Sequence, residues 1–523
     1  VFGFHFFYYK LHAIFVFETK NIKLINISIK NSLLSWIVKK RIYQIDQFIL
    51  HPKKTQEDVL SSLIYKSKGT FFGIEHNFNK IKTYSDFSKH VPIRKYEEIF
   101  NYIKLTREGK KDILWPGKIK WYAISSGTTN SNRKYIPMTK ASIMDCHLNA
   151  GKDMLSMYCN NFSSTNVFNG KGIMLGGSQN VKNDFVEGDL SAILLENLPF
   201  WVSIHSSTDV ETLLIDDWED KLKKIADNAV RENITNLTGV PSWMLVLLKK
   251  IKEMSGVNDL TEIWPNLELF MHGGISFSPY KKQFYDLYPS SKLNYLEIYN
   301  ASEGFFGIKN DFEKEDLLLM LDYGIFYEFI KKSDFVNERY NAIPLWEVEK
   351  NMEYAIIIST NSGLWRYLIG DTVIFTNTNP FKIKISGRIK SYINSFGEEL
   401  VVDNAEKGIA ETCEILNCKV NNYTAGPKFL QNGTGQHLWL IEFENKNTNT
   451  LDFEKTLDSR LRQLNNDYNA KRFKSLVLKN LKIISLEKGT FYKWLKNNNK
   501  LGGQHKIPRL RNDDKLIKEL LKI

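Results

Sequence analysis

The stretch SSGTTNSNRK, residues 125–134, gathers hydroxyls, a glycine and a basic pair into ten positions. Gly127 lets the backbone come close to a ligand. Ser125, Ser126, Thr128 and Thr129 offer hydroxyl donors beside loop N–H groups, and Arg133 and Lys134 add positive charge, so the loop suits phosphate oxygens. It is not a P-loop, because no Gly-Lys-Ser/Thr follows a glycine at the required spacing. The same residues also read as a polar hairpin between the strands WYAI and KYIPM.

Three further segments carry reactive side chains. Glu303, in YNASEGFFG (299–307), falls just past the carboxyl end of the predicted strand NYLEI, where α/β enzymes place ligands. A carboxylate there can hold Mg²⁺ between phosphates, or it is a solvated acid in a polar turn. Asp371 follows Gly370 in WRYLIGDTVIF, in position to accept both hydroxyls of a ribose, or simply to make a turn. Lys506 lies in LGGQHKIPRLRND (501–513), with Arg509 after a proline. These are either ordinary solvated charges or part of a loop that delivers one lysine to a distant site.

The elements that must position these residues are mixed. NSLLSWIVKKRIYQIDQFIL (31–50) places Leu33, Leu34, Ile37, Val38, Ile42, Ile45 and Ile49 on one helical stripe that His51-Pro52 ends. A second helix is predicted from TQEDVLSSLI, where Thr55 and Asp58 have capping-box spacing. After Gly69 short β runs alternate with helices, and a dense β region follows, GIFYEFI to FKIKISG. This is the mixture of a large α/β domain with a barrel-like β part. Beyond Gly387 the predicted order is βαββαβ, a ferredoxin-like α+β domain. The expected division is an upstream extension at 1–26, not part of the fold, a large domain at 27–387, a hinge at 388–391 and a small mobile domain at 392–523.

At 523 residues, with 43% hydrophobic and 25% charged side chains, the chain is globular and too long for one core. Its formal net charge is +12, and residues 471–523 hold 15 basic against 4 acidic residues. The excess is a property of the tail, which raises nucleic-acid binding as one reading. The four cysteines, Cys146, Cys159, Cys413 and Cys418, lack zinc-site spacing and fit a reducing, cytoplasmic setting. The aromatic start, VFGFHFFYYKLHAIFVF, is broken by His5, Lys10 and His12 and is too short to span a bilayer.

Taken together, VPIRKYEEI, ILWPGKIKWYAISSGTT, GVPSWMLVLL, WPNLELFMHGG, YNASEGFFG, FYEFI, GLWRYLIGD and GGQHKIPRL resemble the adenylate-forming superfamily. Within it they resemble the acyl acid amido synthetases of the Gretchen Hagen, or auxin-responsive promoter, family, bacterial branch. The resemblance covers the chain from about Asn31 onward. It implies ATP and Mg²⁺ as cofactors, and a small carboxylic acid and an amino acid, rather than nucleic acid or membrane, as partners.

By resemblance, Ser125, Ser126, Gly127, Thr128 and Thr129 grip the ATP phosphates with Lys134 nearby. Tyr299 borders the adenine, Ser302 and Glu303 serve ATP and Mg²⁺, Asp371 binds the ribose, and Arg388 follows that site. Asn300 departs from the glycine of many superfamily members. Lys506 is the small-domain lysine of adenylation, which rotation about Lys390-Ser391 would bring in and withdraw. Trp243, Met244, His272 and Gly273 are candidate walls of the acid pocket and read equally well as core. Glu328, in FYEFI, has no derivable role. A thioester-forming acyl- or aryl-CoA synthetase shares the first half-reaction and is the nearest rival.

Overall fold

The computed structural model describes residues 40–523, apart from 126–133, 178, 182–184, 200–201, 204, 216, 275–276, 278–279, 337–339, 389–391, 394, 396–397, 399, 431–434, 445–447, 473–477, 499, 502–505 and 512. Of the first predicted stripe, Leu33, Leu34, Ile37 and Val38 lie outside the described residues, and the remainder falls in helix α1 (Ile42–Leu50), which buries Ile45 and Phe48. Helix α2 (Pro52–Ser67) starts three residues before the predicted capping box. Pro52 occupies its first turn, where the missing N–H costs nothing. Thr55 Oγ1 instead donates to the His51 carbonyl at 3.0 Å, and Asp58 pairs with Lys54 at 2.7 Å.

The hydroxyl-rich segment lies between β1 (Trp121–Ser125) and β2 (Lys134–Met138), which pair antiparallel with Ser125 opposite Lys134. Beyond it, β3 (Lys171–Met174), β4 (Ile234–Gly239), β5 (Leu269–Gly273) and β6 (Asn294–Ala301) run parallel. Helices α3 (Trp218–Ala229), α4 (Pro241–Ser255) and α5 (Lys281–Leu287) punctuate these strands. Four of the five residues of β5 are buried, as expected of a parallel strand covered on both faces.

The sheet then continues antiparallel through β7 (Gly304–Ile308), β8 (Leu317–Leu319), β9 (Ile325–Lys331), β10 (Ile343–Pro344), β11 (Glu353–Thr360), β12 (Tyr367–Thr378) and β13 (Phe381–Arg388). Its order is β10-β9-β11-β12-β13-β8-β7-β6-β5-β4-β3. The stretch read as barrel-like is therefore the antiparallel half of one eleven-stranded sheet. The switch from parallel to antiparallel falls between β6 and β7, across the turn that holds Ser302 and Glu303.

The C-terminal part follows the expected element order: a short strand at Leu400–Val401, α6 (Val402–Ile415), β14 (Val420–Phe429), β15 (Gly435–Phe443), α7 (Thr450–Leu464) and β16 (Lys482–Leu486). Helices α8 (Thr490–Asn497) and α9 (Lys515–Leu520) come after. β14 pairs antiparallel with β15, and β16 parallel to it. Leu400–Val401 pairs with Tyr392–Ile393 and does not join that sheet. Alternation along β15 splits its side chains between two cores. Trp439 and Ile441 pack with Ile409, Leu457 and Leu461, whereas Leu438 and Leu440 share a cluster with Leu248, Phe270, Phe284, Phe491 and Trp494. No described helix is long and apolar enough to cross a membrane.

Candidate active site

Tyr299, near the end of β6, donates a 2.7 Å hydrogen bond from its hydroxyl to Asp371 Oδ2 on β12, and both residues are buried. Arg388 is the register partner of Asp371 on β13, although its side chain lies outside the described residues. Ser302 and Glu303 occupy the β6–β7 turn and are also buried, Glu303 with 9% of its surface exposed.

Tyr367, the first residue of β12, ties these positions together. Its phenol is held well above the usual tyrosine range, first by burial and then by the charges or phenols of Glu303, Tyr96, Glu97 and Asp371. Lys134 Nζ lies 3.5 Å from the Tyr367 hydroxyl and 5.4 Å from the centroid of the Tyr96 ring. Lys134 therefore contacts this buried phenol, and the charges of Glu303 and Asp371 act on it. Ser126, Gly127, Thr128, Thr129 and Arg133 lie outside the described residues, as does the side chain of Ser125.

Lys506 meets the large sheet directly: its Nζ donates to the Gly274 carbonyl at 2.5 Å. Two glycines make that approach feasible. A Cβ on Gly273 would stand 2.4 Å from the Ile298 carbonyl oxygen, so a side chain there would force β5 away from β6. Gly274 has φ +84°, and a Cβ on it would stand 2.8 Å from Lys506 Nζ. Gly273 is the register partner of Ile298, the residue before Tyr299, so the Lys506 contact is one strand away from the tyrosine that holds Asp371.

The proposed pocket walls divide. Met244 and His272 are core residues, 0% and 2% exposed. The His272 ring stacks on Phe277 with centroids 4.3 Å apart, and burial, helped by Lys309, pushes its imidazole down to about 3. It stays neutral at ordinary pH. Trp243 belongs to the same core cluster as Met244 but also borders a cavity of about 570 Å³ between α4 and the C-terminal part, with Lys506, Tyr280, Phe491 and Arg509 on other walls.

The donor set fits a cation that takes most of its ligands from phosphate and water. Glu303 contributes one hard carboxylate, which suits Mg²⁺. Among the described residues no cluster of three or more His, Cys, Asp or Glu side chains forms an all-protein cage.

Residues 41–293 match the GH3 family N-terminal domain, residues 318–388 the GH3 family central domain and residues 403–515 the GH3 family C-terminal domain. The chain belongs to the GH3 family. It is 22% identical over 407 residues to indole-3-acetic acid-amido synthetase GH3.4 of Arabidopsis thaliana, covering 64% of this chain and 67% of that protein. A second relative from the same plant, indole-3-acetic acid-amido synthetase GH3.3, is 24% identical over 163 residues, 29% of this chain and 27% of its own length. The solved GH3.15 acyl acid amido synthetase shares the fold with a TM-score of 0.78 at 16% identity, over 92% of this chain and 96% of that one. A 2-hydroxyisobutyryl-CoA ligase in its postadenylation state, in complex with 2-HIB-AMP, gives 0.58 at 12% identity, over 89% and 90%.

Two buried clusters of this GH3 chain escaped the reading of residue types. Glu328 is fully buried and forks onto Arg366, with Nε 3.0 Å from Oε2 and Nη2 2.7 Å from Oε1. Arg366 Nη1 also donates to the Ser88 and Val91 carbonyls, and Tyr84 donates to Glu328 Oε1 at 3.0 Å. The pair thus clamps VPIRKY against the start of β12, where the Arg94 N–H donates to the Arg366 carbonyl and the Leu368 N–H donates to the Arg94 carbonyl. Arg509 is likewise no solvated charge. Its guanidinium reaches Glu406 at 3.0 Å, the Tyr423 carbonyl at 3.1 Å and, across to the large sheet's side, the Tyr280 hydroxyl at 2.7 Å.

The basic tail of this GH3 chain is extensively paired. Arg472 meets Asp458, Lys482 meets Glu454, Lys488 meets Glu444, and Lys496 meets Glu219. Arg472 is buried in its pair, whereas Lys482, Lys488 and Lys496 keep more than half of their side-chain surface exposed.

Proposed function

We propose that the chain is an ATP-dependent acyl acid amido synthetase, which activates a small carboxylic acid as acyl-AMP and passes the acyl group to the amine of an amino acid. The observation that carries this reading is the placement of Asp371 against Tyr299, at the parallel-to-antiparallel switch whose turn holds Glu303 and one strand from the Lys506 contact. The amido synthetase names of its GH3 relatives support an amine as the acceptor.

In this reading Asp371, oriented by Tyr299, accepts the ribose hydroxyls, and Arg388 lies beside it. Ser125, Ser126, Gly127, Thr128, Thr129 and Lys134 take the phosphates, and Tyr299 and Ser302 border the nucleotide. Glu303 would hold Mg²⁺, which when bound supplies positive charge to the phosphates. A substrate carboxylate oxygen attacks the α-phosphorus and pyrophosphate leaves. Lys506 offsets the negative charge that builds on that centre, a task suited to a point charge on a flexible stem. The amine then attacks the acyl carbon, AMP departs, and the amine loses a proton.

His272 does not take that proton, because its imidazole accepts one only near pH 3. Trp243 lines the route to the reacting carbon, and Gly273 and Gly274 keep it narrow. We place the large domain at 27–387, the hinge at 388–391 and the small domain at 392–523, with Lys506 delivered by the latter. The site works on soluble small molecules, and the cytoplasm is its expected setting.

A pyrophosphate-exchange screen over carboxylic acids, repeated with an amino-acid panel and with coenzyme A, tests the proposal. Acid-dependent exchange followed by an amide product of the expected mass supports it. AMP release with coenzyme A but with no amino acid would move the chain to the thioester-forming class, and no exchange with any acid would reject the reading.

A further inference from the structure

Helix α6 ends in the sequence CEILNC, residues 413–418. Asn417 is left-handed, with φ 46°; its N–H donates to the Glu414 carbonyl at 3.3 Å, and the Cys418 N–H donates to the Cys413 carbonyl at 3.0 Å. Those two bonds are the signature of a Schellman cap, which brings the side chains of its first and last residues together. Here both are cysteines. Neither takes part in the proposed chemistry, and no disulfide links them.

Cys418 belongs to the core of the C-terminal part and Cys413 packs at its edge. Cys146 and Cys159 are packed in the apolar core of the large sheet, and burial pushes the Cys146 thiol up to about 12. Cys413 is partly exposed and Cys418 is buried, and their proximity across the cap raises the titration of the Cys413 thiol and lowers that of Cys418. Lys282 of α5 adds positive charge beside the pair. A thiol favoured as thiolate, next to a second thiol, is the arrangement of a sulfur that reacts and a neighbour that resolves it.

We propose that Cys413 and Cys418 form a reversible intramolecular disulfide, a redox modification site at the corner between α6 and β14. The co-reactant is a peroxide. The Cys418 thiolate attacks one peroxide oxygen, the O–O bond breaks, and hydroxide leaves while Cys418 becomes a sulfenic acid. The Cys413 sulfur then attacks the Cys418 sulfur, the S–O bond breaks, and the oxygen leaves as water with the Cys413 proton. Two thiols lose two electrons and one peroxide gains them. A dithiol reductant reverses the change by exchange.

The corner is where the C-terminal part grips α5. Lys282 bonds Asn417, Lys419 bonds Asp286, and Gln283 Nε2 donates to the Val420 carbonyl at 3.1 Å. A bridge within the C-terminal part would stiffen the corner that presents Asn417, Lys419 and Val420 to this seam, which the proposed domain motion uses. That consequence rests on the functional reading above; the disulfide itself does not.

Trypsin reports the chemistry directly, because both cysteines fall on one peptide, residues 408–419, between Lys407 and Lys419. The full chain is treated with one equivalent of hydrogen peroxide, alkylated and digested. The expected result is that this peptide escapes alkylation, is lighter by two hydrogen atoms and regains both on reduction, while Cys146 and Cys159 remain alkylatable after denaturation. C413S and C418S should each lose the two-hydrogen change. Two alkylatable thiols after treatment, or direct conversion to sulfinic or sulfonic acid, would overturn the proposal. The readout is a mass, so it stands apart from any outcome of the activity screen.

Discussion

The hydroxyl of Tyr299 and the carboxylate of Asp371, 72 positions apart in the chain, are joined by a 2.7 Å hydrogen bond inside the site. A hydrogen bond to a charged acceptor contributes about 1.5–3 kcal/mol. Tyr299→Phe should therefore raise the KM for ATP roughly tenfold and change turnover less, because Asp371 remains but is no longer held in place. Initial-rate kinetics at varied ATP check this; an unchanged KM would remove Tyr299 from the nucleotide site.

Lys506→Ala should reduce acid-dependent pyrophosphate exchange by about a hundredfold or more, while aminolysis of supplied acyl-AMP is largely retained. Lys506→Arg should fail to restore exchange, since a planar guanidinium does not replace a compact ammonium. Gly274→Ala should weaken exchange as well, because its Cβ would stand where Lys506 now rests. Equal losses in both half-reactions would place Lys506 outside adenylation.

Removing one partner of the buried Glu328–Arg366 pair leaves the other charge stranded, at a cost of about 3–5 kcal/mol. Glu328→Ala is expected to lower the urea midpoint sharply, and the apolar pair Glu328→Leu with Arg366→Met to recover much of it. A single variant as stable as the parent would mean that the clamp contributes little.

Glu297, on β6, has its carboxyl pushed up to about 7, mainly by desolvation, with Lys309 opposing. Its ordinary value is 4.5, so the native state keeps a proton that the unfolded chain releases between pH 4.5 and 7. Stability from this group is therefore present below pH 4.5 and declines as pH rises through 7. Glu297→Gln should melt at a higher temperature than the parent at pH 8 and at about the same temperature at pH 5. Parallel melting curves at both values would contradict this assignment.

The sequence made some of the site legible and hid the rest for identifiable reasons. Asp371 and Glu303 could be singled out because an acid after a glycine, or just past a strand, is a local pattern. Tyr367 could not, since only tertiary packing brings Lys134 to its hydroxyl. Glu328 and Arg366 are 38 positions apart, and their union is invisible without the sheet order. Arg509 looked solvated because its partners, Glu406, Tyr280 and Tyr423, lie 86 to 229 residues away. The α2 boundary moved because Pro52 is a better helix opener than a Thr55 whose hydroxyl is used backwards.

The apolar cluster that unites Leu438, Leu440, Phe491 and Trp494 with Leu248, Phe270 and Phe284 makes the C-terminal part and the middle of the chain share an interior. A lobe held by greasy contact can pivot while keeping that surface covered, but it cannot lift away without wetting it. Reorientation between half-reactions is thus expected to resemble a joint turning in its socket rather than a door swinging open. A chain cut after residue 388 would lose this cover and should be sticky and aggregation-prone, even with its eleven-stranded sheet intact.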